Sequence, residues 1–372
     1  MLEEILSLPL EKQIGQLFFI GLNGTAIDGN NRALLDEVSP GGICLFGRNI
    51  RLPEQTRKFL DHAREILPVK PFLSLDQEGG LVDRLRRIST PMPAANNLEN
   101  PVDAKILGET TSEVLQMLGF NLNFAPVVDV VNEERKTFDN GLYSRTFGNN
   151  KEQVVEFADS YIRAIQKYGC FACLKHFPGL GASETDSHEN LPIVNVTHEE
   201  LFSTDLFPYK NLFQNSQIEV VMMAHAAYPH IDLQETGSNG KLLPSSLSYN
   251  FVTKLLRREL GFAGLVLTDD LEMGAILNNH TIAEACKLAF LAGADMFSIC
   301  SSETAVREGF RAILKAVEKG EISETRINES LHRIAKLKSL IPESSVLDAE
   351  RFQILSQTIA ELNKKVNYSY GG

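Results

Sequence analysis

The chain has no long apolar run, no excess of basic residues and no even set of cysteines, and each shortage removes a class of protein. No stretch approaches the roughly 18 uninterrupted apolar residues that a membrane-spanning helix needs. The N-terminus, MLEEILSLPLEKQIGQLFFIG, carries acids where a secretory signal would carry a basic segment. A cytoplasmic protein without a membrane partner is therefore expected. Lys and Arg number 36 against 48 Asp and Glu, for a net charge of −12 and a pI near 5.3. Such a surface repels nucleic acid and anionic lipid, whose binding rests on neutralising phosphates. The five cysteines (Cys44, Cys170, Cys173, Cys286, Cys300) are odd in number and sit mostly in apolar runs, which fits reduced, buried thiols. Cys170 and Cys173 have CxxC spacing, but no second pair completes a zinc site, so core packing is expected. There is no Gly-rich dinucleotide turn after an early strand, no phosphate-cradling glycine loop and no H-x-H or H-x-x-x-H pair. Neither a cofactor nor a metal is expected.

What remains is a globular composition, 43% hydrophobic and 23% charged over 372 residues. Apolar runs of strand length recur at 16–22, 42–47, 71–78, 121–130, 170–177, 219–227, 264–270 and 295–300. They do not alternate apolar with polar, so both faces should be buried, as in a parallel sheet. Segments with helical spacing lie between them, among others 53–67, 150–169, 245–260, 281–293 and 303–320, several opening on Ser, Thr, Asn or Pro and closing on Gly. This alternation, with no linker-like stretch, predicts an α/β chain folded as one (β/α)8 TIM-type barrel. The barrel is assigned to 1–340, and 341–372 to a C-terminal helix and a loose tail, VNYSYGG, packed outside it.

Active sites of such barrels form at the C-terminal ends of the strands. The polar residues there are Arg48 and Asn49, then Asp76, Gln77 and Glu78, then Asp129, Lys175 and His176, His225, and Asp269 with Asp270. Packing alone explains so many ionisable strand ends poorly, because unpaired charge in an apolar wall is costly. The pattern suits a ligand rich in hydroxyls. Beyond strand five, KHFPGLGASETDSHENLP (175–192) describes a Gly- and Pro-containing loop. Its Asp186-x-His188 places a carboxylate beside an imidazole, where it can fix the tautomer and raise basicity. A surface Asp and His in a polar loop is the plainer alternative.

The blocks EKQIGQLFFIGLNGT (11–25), GGICLFGRN (41–49), DQEGGLVDRL (76–85), GFNLNFAPVVDV (119–130), SRTFG (144–148), KHFPG with DSHENLP, VMMAHAAYP (221–229) and LTDDLEMGAI (267–276) occur in an order and spacing that chance does not supply. They resemble glycoside hydrolase family 3, and within it the single-domain bacterial β-N-acetylglucosaminidases of cell-wall recycling. The resemblance implies a retaining exo-β-N-acetylhexosaminidase without cofactor, acting on a small carbohydrate that contains N-acetylglucosamine. It implies Asp269 as nucleophile and His188 as acid/base with Asp186 as its partner. It implies Asp76, Arg84, Arg145, Lys175 and His176 as contacts to the terminal sugar. His225 is placed in the pocket, with a satisfied core histidine as the alternative. Asp270 would point the other way along its strand and receives no role. Because a neutral imidazole does not repel an anion, phosphate stays open as an acceptor in place of water.

The chain departs from the family's pattern at Leu180, where KHFPGHG has a second His, and at Leu81, where an Arg usually follows DQEGG. Both put fine substrate preference in doubt. A family 3 β-glucosidase is one competing reading, against which the Asp-x-His loop speaks, and a sugar-binding barrel without turnover is another, supported only by the Leu180 and Leu81 departures.

Overall fold

The computed structural model describes residues 1–138, 140–187 and 189–370. Eight parallel strands close into a barrel in sequential order: β1 Phe18–Gly21, β2 Gly42–Cys44, β3 Phe72–Leu75, β4 Leu122–Asn123, β5 Phe171–Phe177, β6 Val220–Met223, β7 Leu265–Asp270 and β8 Met296–Ile299. Register runs through pairs such as Phe19↔Gly42, Ile43↔Leu73 and Val221↔Val266, with β8 closing on β1 through Phe19↔Ser298. Helices Gly29–Val38, Pro53–Ile66, Pro101–Leu118, Lys151–Lys167, Phe207–Asn215, Asn250–Glu259, Ile282–Ala292 and Glu303–Glu318 follow the eight strands in turn. This is the α/β barrel that the apolar runs predict. No helix among the described residues is long and apolar enough to cross a membrane.

Local chemistry explains where helices begin and end. Asn100 accepts the N–H groups of Val102 and Asp103 ahead of Pro101, and Gly119 ends that helix in the left-handed region at φ 98°. Thr281 and Glu284 form a reciprocal capping box, and Gly293 closes the same helix at φ 119°. The segment expected as one helix over 245–260 divides instead into a 3₁₀ turn, Ser245–Leu247, and a wide π-type helix, Asn250–Glu259. Its buried residues, Phe251, Val252, Leu255 and Leu256, are spaced in a way that either helix would bury.

Every strand is shorter than its apolar run, and for three of them the local chemistry shows why. Beyond Asn123 the β4 ladder is irregular, since Pro126 has no N–H to donate: the Phe124 N–H still donates to Leu75 and the Ala125 carbonyl accepts from Cys173, and single bridges follow from Val127 to Lys175 and Thr146. After β3 the chain leaves the barrel at Asp76, and Gln77–Gly79 turns back to pair antiparallel with Val82–Asp83. The turn needs glycine: Gly79 has φ 97°, and a Cβ there would lie 2.2 Å from the Pro93 carbonyl oxygen. The β6 ladder gives way after Met223 to a loop strapped by Val194 N–H to the Ala227 carbonyl.

A single core cluster runs from Ile5 to Val366. Inside the barrel Phe19 stacks on Phe72 with centroids 6.0 Å apart and meets Phe124 edge-on at 5.3 Å. Helix Ala349–Lys365 packs on Pro101–Leu118, where Arg351 makes a two-pronged contact to Glu113 at 2.8 and 2.7 Å. The segment after it is not loose as far as Tyr370. Val366 is buried, the Tyr368 N–H donates to the Asn363 carbonyl at 2.9 Å, and Arg86 lies over the Tyr370 ring at 5.4 Å. All five cysteines are free and buried.

Lys338 is buried near the N-terminal end of the barrel, donating to Gln16 Oε1 at 2.7 Å and lying 5.5 Å from the Phe72 ring centre. Burial brings its ammonium pKa down to about 7. Since the folded value is depressed, the unfolded chain takes up the proton first as pH falls. The resulting penalty is absent above the ordinary lysine range and fully present below about 7. Comparing urea unfolding of the wild type and Lys338→Met from pH 10 to pH 6 should show the wild type losing up to about 1.4 kcal/mol per pH unit relative to the variant. The difference should level off below pH 7.

Candidate active site

The C-terminal rim of the barrel surrounds a cavity of about 180 Å³. Asp76, Glu78, Arg84, Arg145, Lys175, His176, Asp186, Asp269 and Asp270 all line it. Residues scattered over nearly two hundred positions are thus brought to one place by the strand ends.

One wall is a buried charge network. Lys175, near the end of β5, is 2% exposed and places its Nζ 2.8 Å from Asp76 Oδ1 and 2.6 Å from Glu78 Oε1. Arg145 grips Glu78 with two prongs, Nε to Oε2 at 2.8 Å and Nη2 to Oε1 at 3.0 Å. Arg84 stands 3.6 Å from Asp76 Oδ2, and its buried Nε has no partner. Burial alone would neutralise Glu78, but Arg145 and Lys175 outweigh it and hold the carboxyl well below the usual range. Burial likewise opposes the Lys175 and Arg145 charges, and the facing carboxylates more than restore them. Glu78, Lys175 and Arg145 are therefore held in their charged forms. A charged group already paired and fixed can exchange part of its pairing for hydroxyl groups without reorganising.

His176 extends the wall. Its Nδ1 lies 2.8 Å from Asp129 Oδ2, and Asp129 is fully buried while also accepting the Leu180 N–H at 2.6 Å. The Leu180 backbone thus anchors the His176–Asp129 pair, while its side chain lines the cavity. Leu81 sits 69% exposed at the hairpin tip, outside the cavity lining.

Asp269, the next-to-last residue of β7, lies at the floor. Burial raises its pKa, yet the imidazoles of His176 and His225, the Asp270 N–H and the Lys175 ammonium outweigh burial and keep the carboxyl lowered. An ionised carboxylate of this kind, half-buried and open to the cavity, can attack an electrophilic carbon or stabilise a developing cation.

Two expectations are corrected here. Asp270 does not face away from the cavity; it lines it beside Asp269. The register between β7 and β8 shifts, Met296 pairing with Leu267 but Ser298 with Asp270, so three residues of β7 span two of β8. That bulge breaks the strict alternation on which the expectation rested. Burial pushes the Asp270 carboxyl up to about 7. His225, placed in the pocket from sequence, is instead fully buried behind it. Its Nδ1 meets Ser246 Oγ at 2.7 Å and its Nε2 meets the Asp270 carbonyl at 3.1 Å, so both ring nitrogens are engaged within the protein.

Asp186 lines the mouth, on the loop that follows β5. The Asn140 side chain donates to the Ser183 carbonyl at 2.7 Å, the Ala275 N–H to Ser187 at 3.3 Å, and Asn278 to Glu189 at 2.9 Å. His188, the expected acid/base, lies outside the described residues. Among the described residues, no group of three or more His, Cys, Asp or Glu is arranged to hold a metal ion.

Glu78 and Asp129 were named from sequence only as polar strand ends, without a role, yet both hold the wall together. Their signal was available: Asp76 and Glu78 are two apart, so in extended chain they share a face. Gln77 between them turns the other way and donates to Asp83 Oδ1 at 2.9 Å.

Residues 9–337 match the glycosyl hydrolase family 3 N-terminal domain. The chain belongs to glycosyl hydrolase family 3, and as a member it is a glycoside hydrolase. It is 31% identical over 301 residues to a beta-hexosaminidase of Pseudomonas aeruginosa, covering 79% of this chain and 85% of that one. It is 30% identical over 338 residues to beta-hexosaminidase A of Pseudoalteromonas piscicida, covering 84% of this chain but only 55% of that longer protein. Among solved structures it resembles a family 3 beta-N-acetylglucosaminidase from Paenibacillus sp. str. FPU-7 with a TM-score of 0.86 at 32% identity, over 96% of this chain and 69% of that one.

Removing the shared carboxylate tests the charge network. Glu78→Gln should lower unfolding stability by about 3 kcal/mol, since it leaves Lys175 and Arg145 buried with one partner fewer. Chemical denaturation at pH 7 measures this. A loss below about 0.5 kcal/mol, the range of a surface change, would mean that the network is not the stabilised unit described.

Proposed function

We propose that this glycoside hydrolase is a retaining exo-β-N-acetylglucosaminidase that removes terminal N-acetylglucosamine from cell-wall muropeptides or related glycosides. The observation that carries the reading is the placement of an ionised Asp269 on the floor of a small cavity, facing the fixed wall of Asp76, Lys175, Arg145, Arg84 and His176. The cavity lies below the roughly 300 Å³ at which pockets for larger ligands begin, so one terminal sugar suits it better than a chain. The names borne by the Pseudomonas and Paenibacillus relatives support the choice of an acetamido sugar.

In this reading the wall holds the hydroxyls of the terminal sugar and presents its anomeric carbon to Asp269. The carboxylate attacks that carbon as the bond to the glycosidic oxygen breaks, and His188, oriented by Asp186, donates a proton to the leaving oxygen. The product is a covalent glycosyl-enzyme, and one alcohol departs. His188, now neutral, takes a proton from water, whose oxygen attacks the same carbon from the face the aglycone left and releases Asp269. Two inversions give net retention. Phosphate can replace water in the second step, because a neutral imidazole leaves room for an incoming anion where a carboxylate would repel it.

The test is turnover of p-nitrophenyl β-N-acetylglucosaminide against the β-glucoside, each with and without phosphate. The acetamido sugar should be strongly preferred, and a rate gain with phosphate would add phosphorylase character. Asp269→Asn should lower kcat about a thousandfold or more. His188→Ala should lower it by about a hundredfold or more on glycosides with poor leaving groups, and less on the nitrophenyl glycoside, whose leaving group needs little protonation. Near-normal turnover by both variants would overturn the assignment.

A further inference from the structure

We propose that Ser356, on the C-terminal helix Ala349–Lys365, is a positioning residue for the sugar-holding wall, acting through residues 89–92 on Asp83, Gln77 and Arg84. The proposal rests on the reading of the cavity as the sugar site.

The link is continuous in hydrogen bonds. Ser356 Oγ accepts the Thr90 N–H at 2.8 Å and lies 2.9 Å from Thr90 Oγ1 and 3.4 Å from Ser89 Oγ. About two turns further along the helix, Asn363 Nδ2 donates to the Pro91 carbonyl at 2.8 Å. The next residue, Met92, donates its N–H to Asp83 Oδ2 at 2.8 Å, and its carbonyl accepts the Gly80 N–H at 3.0 Å. Asp83 Oδ1 accepts from Gln77 Nε2 at 2.9 Å and from the Leu85 N–H at 3.0 Å. Gln77 Oε1 in turn accepts the backbone N–H of Arg84 at 2.9 Å. Gln77 lies between Asp76 and Glu78, and Arg84 itself lines the cavity.

Nothing else in this stretch is regular structure apart from the two-stranded hairpin. Residues 84–94 form an irregular connection on the outside of β3, and such a segment keeps one geometry only where its polar groups are held. Asp83 supplies one anchor from below, and the C-terminal helix supplies the other from outside. The helix is itself fixed, through Arg351 to Glu113 and through Lys365 to Asp103, on the helix that follows β3. The wall therefore has two supports, the barrel strand and a helix some 270 residues later in the chain. A group that positions the wall changes how well sugar is held more than how fast the bound sugar reacts.

The experiment uses the full-length chain with Ser356→Leu and Ser356→Thr. It measures KM and kcat on p-nitrophenyl β-N-acetylglucosaminide, thermal unfolding, and amide exchange over residues 82–94. Ser356→Leu, which can neither accept the Thr90 N–H nor fit the Thr90 hydroxyl, should raise KM about tenfold, because small displacements of binding groups are felt strongly. It should leave kcat within about twofold, since Asp269 is untouched, and should speed exchange at Leu85 and Met92. Ser356→Thr keeps the hydroxyl and should behave as wild type. An unchanged KM in the Leu variant, with or without faster exchange, overturns the proposal. So does a joint fall of kcat, affinity and melting temperature in both variants, which would mark Ser356 as a folding contact only. If the wild type itself fails to turn over the glycoside, the functional reading fails, while the exchange measurement still tests the link from Ser356 to Asp83.

Discussion

The position of Lys175 between Asp76 and Glu78 is the constraint on which the rest of the site depends. An ammonium 2% exposed to solvent is tolerable only with partners at hydrogen-bonding distance, and here it has two carboxylates, at 2.8 and 2.6 Å. Those carboxylates come from the β3 end and must be held at the right spacing. Glu78 is held by Arg145 and Asp76 is faced by Arg84. Each ion justifies the burial of the next. The charge that results reaches across the floor, where Lys175 helps to keep the Asp269 carboxylate ionised against its burial. A polar wall assembled this way is already oriented before any ligand arrives, which is the condition under which electrostatic groups are most effective.

Much of this was legible in the sequence, and the reasons are specific. Apolar runs without alternation imply strands buried on both faces, so the barrel followed from eight such runs and the helices between them. Ionisable residues at the ends of the runs marked the rim, and of these Asp76, Lys175, His176 and Asp269 line one cavity, joined by Asp186 of the loop and by Arg84 and Arg145, which only the resemblance had named. The resemblance to family 3, carried by blocks such as DQEGG and KHFPG, stands with the family match over residues 9–337.

What was illegible depended on geometry that no period encodes. Alternation along a strand turns Asp270 away from Asp269, but a one-residue register shift against β8 brings both to the cavity. Nothing in LTDDLEM announces the shift. His225 ends an apolar run just as His176 does. The difference lies in what stands in front: Asp129 turns the His176 ring along the wall, whereas Ser246 and the Asp270 carbonyl enclose the His225 ring behind the floor. Residues 366–370 are held more firmly than a polar tail suggests from sequence, through Val366 in the core and Tyr370 against Arg86.

The two halves of the proposed chemistry are supported differently, and the support couples them. The wall and floor are built on strand ends of the closed barrel, the most rigid scaffold the fold offers. Asp186 belongs to a loop, and a loop has definite geometry only through what holds it. The described part of that loop is tied to the segment directly after β7, through Ala275 to Ser187 and Asn278 to Glu189. Asp269 is the next-to-last residue of β7. The short run from Asp269 to Asn278 therefore carries the floor carboxylate at one end and the anchors of the loop at the other. A shift of that run would move both together, so their mutual distance is better protected than either position alone. This is the arrangement that proton donation and attack on the same bond require, since their alignment with each other matters more than their place in the molecule.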